Sequence, residues 1–110
     1  YLTNDVTLSG TWNVPSGTTN LCLNGYMIKQ TTTSKNVINV PSGATLNLYD
    51  CDNTTSHEGY VDNDGLWHFG SGDGEPTTIY GGIVTGSDAN NDNGGGVNIE
   101  GVCVKTVACV

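Results

Sequence analysis

Short alternating runs of apolar and polar residues predict short β-strands along much of the chain. The clearest runs place apolar residues around one polar or small residue, at positions 6–8, 21–23, 37–40, 46–48 and 97–99. A period of two over three to five residues is typical of half-buried strands. Pro-Ser-Gly, Asn-Gly, Asp-Gly and Gly-Gly steps separate the runs and supply the backbone conformations that turns require. The pattern therefore predicts an all-β chain with many turns.

A repeated segment sets the predicted architecture. Val-Pro-Ser-Gly occurs at 14–17 and again at 40–43, and Leu-x-Leu follows at 21–23 and 46–48, so the copies are offset by 26 and then 25 residues. The second copy thus has one residue fewer in its turn. Weaker copies begin at Thr78 and Gly94. A β-sandwich would have strands at spacings of roughly 8–12 residues, whereas a β-solenoid stacks each repeat on the previous one.

Parallel stacking places like residues above one another, and connections between parallel strands are right-handed. The repeat therefore favours a right-handed parallel β-helix of about three to four coils over a sandwich. Residues 1–101 would form the coils, with one long loop inserted at 50–78 and an atypical tail at 102–110. We expect Asn20, Asn24 and Asn47, or the threonines, to form polar ladders on the outside.

Composition and charge narrow the classes of partner. The chain has 110 residues, 16 of them glycine, and a formal net charge of −8 with three lysines and no arginine. Three cationic side chains are too few to neutralise and bind a phosphate backbone, so nucleic acid is excluded as a partner. No apolar run approaches the roughly 18 residues of a membrane span, which excludes membrane insertion.

Three longer segments carry a resemblance to a known family. They are DVTLSGTWNVPSGTTNLCLNGYMI at 5–28, NVINVPSGATLNLYDCD at 36–52 and YGGIVTGSDANNDNGGGVNIEG at 80–101. They resemble the N-terminal part of pectate-lyase-like right-handed β-helix proteins of gut Firmicutes, over roughly residues 3–101. Residues 102–110 depart from the family pattern. The resemblance implies that the chain is the first few coils of a large secreted or wall-anchored protein.

The region 50–78 is the least repetitive part of the chain and holds its most varied chemistry. Tyr60 and Trp67 offer ring faces that stack on sugar rings, while Asp62 and Asp64 offer carboxylates to sugar hydroxyls. These four residues are the predicted ligand-binding set. The alternative is that Trp67 and its apolar neighbours fold back over the side of the coils and cover the core.

The acidic loops also suggest calcium. Asp62 and Asp64 in one loop, and Asp88 and Asp92 with Asn90 in another, place oxygen ligands at alternate positions, as a calcium loop needs. Neither loop completes the EF-hand pattern, and runs of Asn, Asp and Gly are common in ordinary turns. No other cofactor is predicted, and the sequence contains no recognised catalytic motif.

The four cysteines allow three full pairings. A secreted context favours a disulfide between Cys22 and Cys51, and the alternative is buried free thiols that act as small hydrophobic side chains. Cys103 and Cys109 both lie in the atypical tail. The cysteine and histidine spacings do not fit a structural zinc site.

Together these features predict a secreted or cell-surface module with a structural or glycan-contacting, adhesin-like role and no complete catalytic site of its own. Glycans or host-surface carbohydrate are the expected partners, and the exposed strand edge of the last coil predicts self-association. The alternative is a fragment of a carbohydrate-active enzyme, either a polysaccharide lyase or a glycoside hydrolase, whose groove lies largely in further coils.

Overall fold

A computed structural model describes residues 1–32, 34–65, 67–86 and 97–107, the side chains of 97 and 103–107 excepted. Twelve β-strands and no helix are found in this described part of the chain, which confirms the predicted all-β class. The strands are β1 Val6–Leu8, β2 Trp12–Asn13, β3 Gly17–Cys22, β4 Met27–Gln30, β5 Ile38–Val40, β6 Ala44–Asp50, β7 Ser56–Val61, β8 Trp67–Phe69, β9 Glu75–Tyr80, β10 Ile83–Thr85, β11 Val97–Ile99 and β12 Val102–Val107.

Three of the four sheets are parallel and are built from three successive passes of the chain. The first pass contains β1 to β3, the second β4 to β6 and the third β10 to β12. Each parallel sheet takes one strand from each pass, in the orders β1-β4-β10, β2-β5-β11 and β3-β6-β12. The second pass is therefore central in every parallel sheet, and the other two passes form the edges. Self-association through the third-pass edge stays a prediction.

The hydrophobic core centres on the second pass. Its buried side chains come from all three second-pass strands and from the connecting segments: Val14, Leu23, Ile28, Val37, Ile38, Val40, Ala44, Leu46 and Leu48. Burial of each of these larger aliphatic side chains contributes about 1.5–3 kcal/mol to the stability of the fold. At the first-pass edge, Leu8 and Trp12 are only half-buried and help to line an open apolar cavity of about 270 Å³. The core is therefore tightest where a strand is covered on both sides.

The repeats lie side by side, but not in the predicted register. Asn13 lies beside Asn39 at an offset of 26, whereas Leu21 lies beside Leu48 at an offset of 27. The second copy therefore has one residue more in its corner, not one fewer. The Leu-x-Leu pairs are shifted by two residues from the predicted match. Because side chains alternate with a period of two, this shift leaves each leucine on its expected face.

Asparagine ladders run along the outside of the parallel sheets. The side-chain amide of Asn47 donates to the side-chain oxygen of Asn20 at 2.8 Å, so two of the three predicted asparagines do form a ladder. A second ladder, with bonds of 3.0 and 2.7 Å, joins Asn13, Asn39 and Asn98. Asn24 does not join the described ladder bonds, since its amide donates to a first-pass backbone oxygen at 3.2 Å.

The fourth sheet corrects the predicted fold class. Its order is β8-β7-β9, it is antiparallel, and it occupies residues 56–80, where the sequence predicts a long loop. The right-handed parallel β-helix of three to four coils is therefore wrong as a description of this fold, which consists of four small three-stranded sheets of mixed type. The reason is local. A turn closed by a 3.1 Å hydrogen bond from Gly65 N to Asp62 O reverses the chain, and such short connections join antiparallel strands.

Candidate functional site

The register of the antiparallel sheet divides its side chains between two faces. Residues paired directly across two antiparallel strands share a face, and neighbours along a strand alternate. The inner face carries His57, Gly59, Val61, Trp67, Phe69, Glu75 and Ile79. The outer face carries Glu58, Tyr60, His68, Pro76, Thr78 and Tyr80.

The inner face anchors the sheet to the second pass. His57 is buried, and its Nε2 lies 2.7 Å from the backbone oxygen of Gly25. Lys29 of β4 places its Nζ 4.6 Å from the centre of the Phe69 ring, which is a cation–π contact. A backbone hydrogen bond of 2.8 Å also joins the segments that enter and leave the sheet. The sheet is therefore a fixed platform for its outer face.

Trp67 lies on the inner face and is half-buried. Its indole packs directly against Gly59, where an added Cβ would come within 2.3 Å of the ring. Among the described residues, its Nε1 is a buried donor without a hydrogen-bond partner. This placement fits the alternative in which Trp67 folds back against the chain, and it does not bring the ring to the face that carries Tyr60.

An ordered stack supports Tyr60 on the outer face. The Tyr60 and His68 rings are 4.9 Å apart and inclined by 14°. His68 is buried, and its Nε2 lies 2.5 Å from Asp62 Oδ2. Asp62 Oδ1 accepts a hydrogen bond of 2.8 Å from the backbone nitrogen of Asp64. Asp62 therefore holds the stack and its turn, and Gly72 closes on Tyr60 from outside, since a Cβ there would lie 2.3 Å from the ring.

Glu58 and Tyr80 are the solvent-exposed part of the outer face. The Thr78 hydroxyl lies 3.2 and 3.1 Å from the two carboxylate oxygens of Glu58 and fixes that side chain. Tyr80 is 66% exposed and lies diagonally across the strand pair from Glu58. Diagonal neighbours on one face are about 7–8 Å apart, within reach of an aromatic side chain. The face therefore presents a fixed carboxylate beside an open ring.

A small cleft extends this surface on the other side of Glu58. It has a volume of about 150 Å³ and is lined by Glu58, Tyr60, Gly70, Ser71, Gly72 and Pro76. From Pro76 to Tyr80 the strand advances roughly 14 Å, at about 3.4 Å per residue. The surface from the cleft to Tyr80 is therefore long enough for a short oligomer.

The predicted calcium ligands are only partly within the described residues. Both oxygens of Asp62 accept bonds from the protein itself, while Asp64 is exposed at the turn. The structure describes no group of three or more His, Cys, Asp or Glu side chains that could hold a metal ion. Asp88 and Asp92 lie outside the described residues. A calcium site thus stays a prediction from the sequence.

Other aspartates join successive passes of the chain. Asp50 Oδ1 accepts from Gly25 N at 2.8 Å, and its Oδ2 accepts from Gly82 N at 2.6 Å. Asp5 similarly accepts from Met27 N at 2.9 Å. Carboxylate acceptors for backbone N–H groups are stronger than neutral ones. Some of the acidic side chains therefore accept hydrogen bonds from backbone N–H groups where the chain turns between passes.

Asp52 organises the turn that leads into the antiparallel sheet. Its Oδ1 accepts from the Thr54 hydroxyl at 2.7 Å and from the Thr54 backbone nitrogen at 2.8 Å. Its Oδ2 accepts from the Thr55 hydroxyl at 2.9 Å. These bonds, that of the Thr54 hydroxyl foremost, lower the pKa of Asp52 from 3.8 to about 2.

The Asp52 carboxyl is expected to titrate with a midpoint of about 2 in the folded protein. Because this pKa lies below the unfolded value of 3.8, the carboxylate stabilises the fold above pH 3.8 and loses that effect as the pH falls towards 2. NMR of the carboxyl carbon measures the midpoint, and Thr54→Val should move it up towards 3.8. A wild-type midpoint at the unfolded value would contradict the hydrogen bonding described above.

The predicted disulfide between Cys22 and Cys51 is not formed. Cys22 is a buried free thiol, whereas Cys51 is disulfide-bonded. The strand register gives the reason, because Cys22 lies beside Tyr49 and Cys51 is two residues further along. The side chains of Cys103 and Cys109 are outside the described part of the chain. The alternative of a buried thiol acting as a small hydrophobic side chain therefore holds for Cys22.

Comparisons of the chain with protein-family models, curated proteins and solved structures found no match. Within the described residues, no helix is long and apolar enough to cross a membrane.

Sequence reasoning located part of this face. Of the predicted ligand-binding set, Tyr60 lies on the outer face, the two aspartates lie at its adjacent turn, and Trp67 lies on the inner face. Glu58 and Tyr80 were not in that set. The signal that could have found Tyr80 is the alternation at 78–80, where Thr78 and Tyr80 flank the apolar Ile79 and face solvent.

Proposed function

We propose that the chain is a secreted or cell-surface module that contacts glycans through the outer face and has no complete catalytic site of its own. The observation that carries this proposal is the exposed ring of Tyr80 beside the fixed carboxylate of Glu58. An aromatic ring covers the apolar face of a sugar, and a carboxylate accepts hydrogen bonds from sugar hydroxyls. Together they supply the mixed contact that a sugar ring needs.

The order of the outer face supports binding. Tyr60 is held by its stack on His68, and Glu58 is held by Thr78. Immobilising a free side chain on binding costs about 0.5–1.5 kcal/mol, so side chains that are already fixed lose less. The anchored sheet therefore needs little reorganisation to receive a ligand.

The charge of the chain supports a neutral or cationic glycan over an acidic one. A net charge of −8 repels polyanions, including polymers of uronic acids. The resemblance of residues 3–101 to secreted or wall-anchored bacterial proteins supports a location where glycans are met.

Tyr80→Ala should weaken binding of oligosaccharides about tenfold, because an aromatic contact of this kind is worth about 1–1.5 kcal/mol. A glycan array identifies ligands, and calorimetry measures their affinity. Tyr1→Ala is the matched control, since Tyr1 is 84% exposed and lines a cavity with Cys22 and Asn24 that contains no outer-face residue. Equal affinity of the wild type and Tyr80→Ala, or the absence of any bound glycan, would refute the proposal.

A carbohydrate-active enzyme is the alternative, and the same ligands test it. Incubation of each bound oligosaccharide with the chain should leave it intact. Release of new reducing ends or of unsaturated uronates would instead identify the chain as part of a hydrolase or a lyase.

A further inference from the structure

We infer that the glycan bound on the outer face carries a protonated amine, as glucosamine oligomers do. This inference rests on the proposed function and names the ligand class of the same face. The juxtaposition that carries it is the carboxylate of Glu58, which has no cationic partner among the described residues, beside the exposed ring of Tyr80.

Glu58 has no ion-pair partner among the described side chains. The contact of a carboxylate with a basic side chain that is found in that part of the chain joins Asp62 to His68. Glu58 is instead hydrogen-bonded to the neutral hydroxyl of Thr78, which leaves its charge uncompensated. Lys29 lies against Phe69 on the opposite face of the sheet. The outer face therefore keeps a full negative charge at its centre.

A neutral sugar placed over this face would cover Glu58 without neutralising it. Removing a carboxylate from water costs free energy unless a cation or several hydrogen bonds replace the lost hydration. A protonated amine replaces it directly with a charge-assisted hydrogen bond. A ligand that stacks on Tyr80 therefore gains more from Glu58 when it is cationic than when it offers only neutral hydroxyls.

The neighbouring groups favour the same charge. Tyrosine rings attract cations through their π faces, and the exposed ring of Tyr80 lies next to Glu58 along the face. Asp73 follows Gly72, which lines the cleft, and is exposed. The whole chain carries a net charge of −8, which raises the local concentration of cationic ligands.

The test compares two matched ligands and two matched variants. Calorimetry measures the affinities of a glucosamine oligomer and of its fully N-acetylated form at a mildly acidic pH, where the free amines are protonated. The wild type should bind the amine form about tenfold more tightly, a preference of the size of one charge-assisted hydrogen bond. Glu58→Gln should abolish this preference, and added salt should weaken it.

Glu75→Gln is the control, because it removes the same charge from the same sheet but lies on the inner-face side of the register. It should keep the preference for the amine form. Equal binding of the two oligomers by the wild type would overturn the inference while the glycan-binding proposal stands. A preference that survives in Glu58→Gln would also overturn it. Absence of binding by either oligomer would count against both.

Discussion

Asp50→Asn is expected to lower the free energy of unfolding by about 3 kcal/mol. The Asp50 carboxylate accepts backbone hydrogen bonds from Gly25 and Gly82, which belong to the corners before the second-pass and third-pass strands. An asparagine side chain has the shape of aspartate but no charge. Its amide nitrogen, which is itself a donor, would face one of the two backbone N–H groups. Hydrogen bonds to charged groups contribute about 1.5–3 kcal/mol each, and an unpaired buried donor adds a cost of its own.

Urea denaturation measures this loss. Asp73→Asn is the control, because it removes one negative charge from an exposed position in a loop. The control should stay within about 0.5 kcal/mol of the wild type. If Asp50→Asn also changed stability by so little, Asp50 would not connect the passes in the way described.

Gly59→Ala is expected to destabilise the antiparallel sheet by about 3 kcal/mol. An alanine Cβ would lie 2.3 Å from the Trp67 ring and 2.4 Å from the backbone oxygen of His68. The ring can turn only by leaving its packing, and the backbone oxygen can move only by breaking the β7–β8 pair. Overpacking of this kind costs about 1–3 kcal/mol when the surroundings adapt, and more when the obstacle is backbone.

Tryptophan fluorescence and urea denaturation together follow this change. The emission of Gly59→Ala should shift to longer wavelength as Trp67 becomes more exposed. Gly10→Ala is the control, since an added Cβ there meets nothing within 4 Å and the position has no positive φ. Unchanged stability and fluorescence in Gly59→Ala would show that Trp67 does not pack on Gly59.

The parallel part of the fold was largely accessible from the sequence. Repeated turns with alternating leucines predicted that successive passes lie side by side, with polar ladders that involve Asn20 and Asn47 on the outside. The predicted register was wrong by two residues. Leu46 and Leu48 both face inward, so hydrophobicity alone does not decide which of them lies beside Leu21. The register that forms is set by the extra residue in the second-pass corner and by the hydrogen bond between Asn20 and Asn47.

The antiparallel sheet was not accessible in the same way. Residues 56–80 contain no repeat, and glycines interrupt their alternation, so the strands carry a weak local signal. The sheet forms because a short turn brings β7 and β8 together and because its inner face packs against β4, where Lys29 contacts Phe69. This second condition depends on tertiary contacts, which explains why the sequence predicted only a long loop at 50–78, inserted into a parallel β-helix.

The candidate site was predicted in part for a related reason. Tyr60 and Trp67 are both aromatic and both lie near aspartates, so composition gave them equal weight. Their strand positions separate them, because Tyr60 pairs with His68 on the outer face while Trp67 pairs with Val61 on the inner face. Strand position also explains why Cys22 and Cys51 do not form the predicted disulfide, since Cys22 lies beside Tyr49 and is therefore out of register with Cys51.

The measurement that tests the central claim most directly is an NMR titration of the backbone amides with a glucosamine oligomer. The largest shift changes should fall on Glu58, Thr78 and Tyr80 and extend to the glycines of the cleft, while the first-pass strands and the asparagine ladders stay unchanged. Shift changes centred on the inner face or on the parallel sheets, or none at saturating oligomer, would contradict the assignment of the outer face as the glycan-contacting surface.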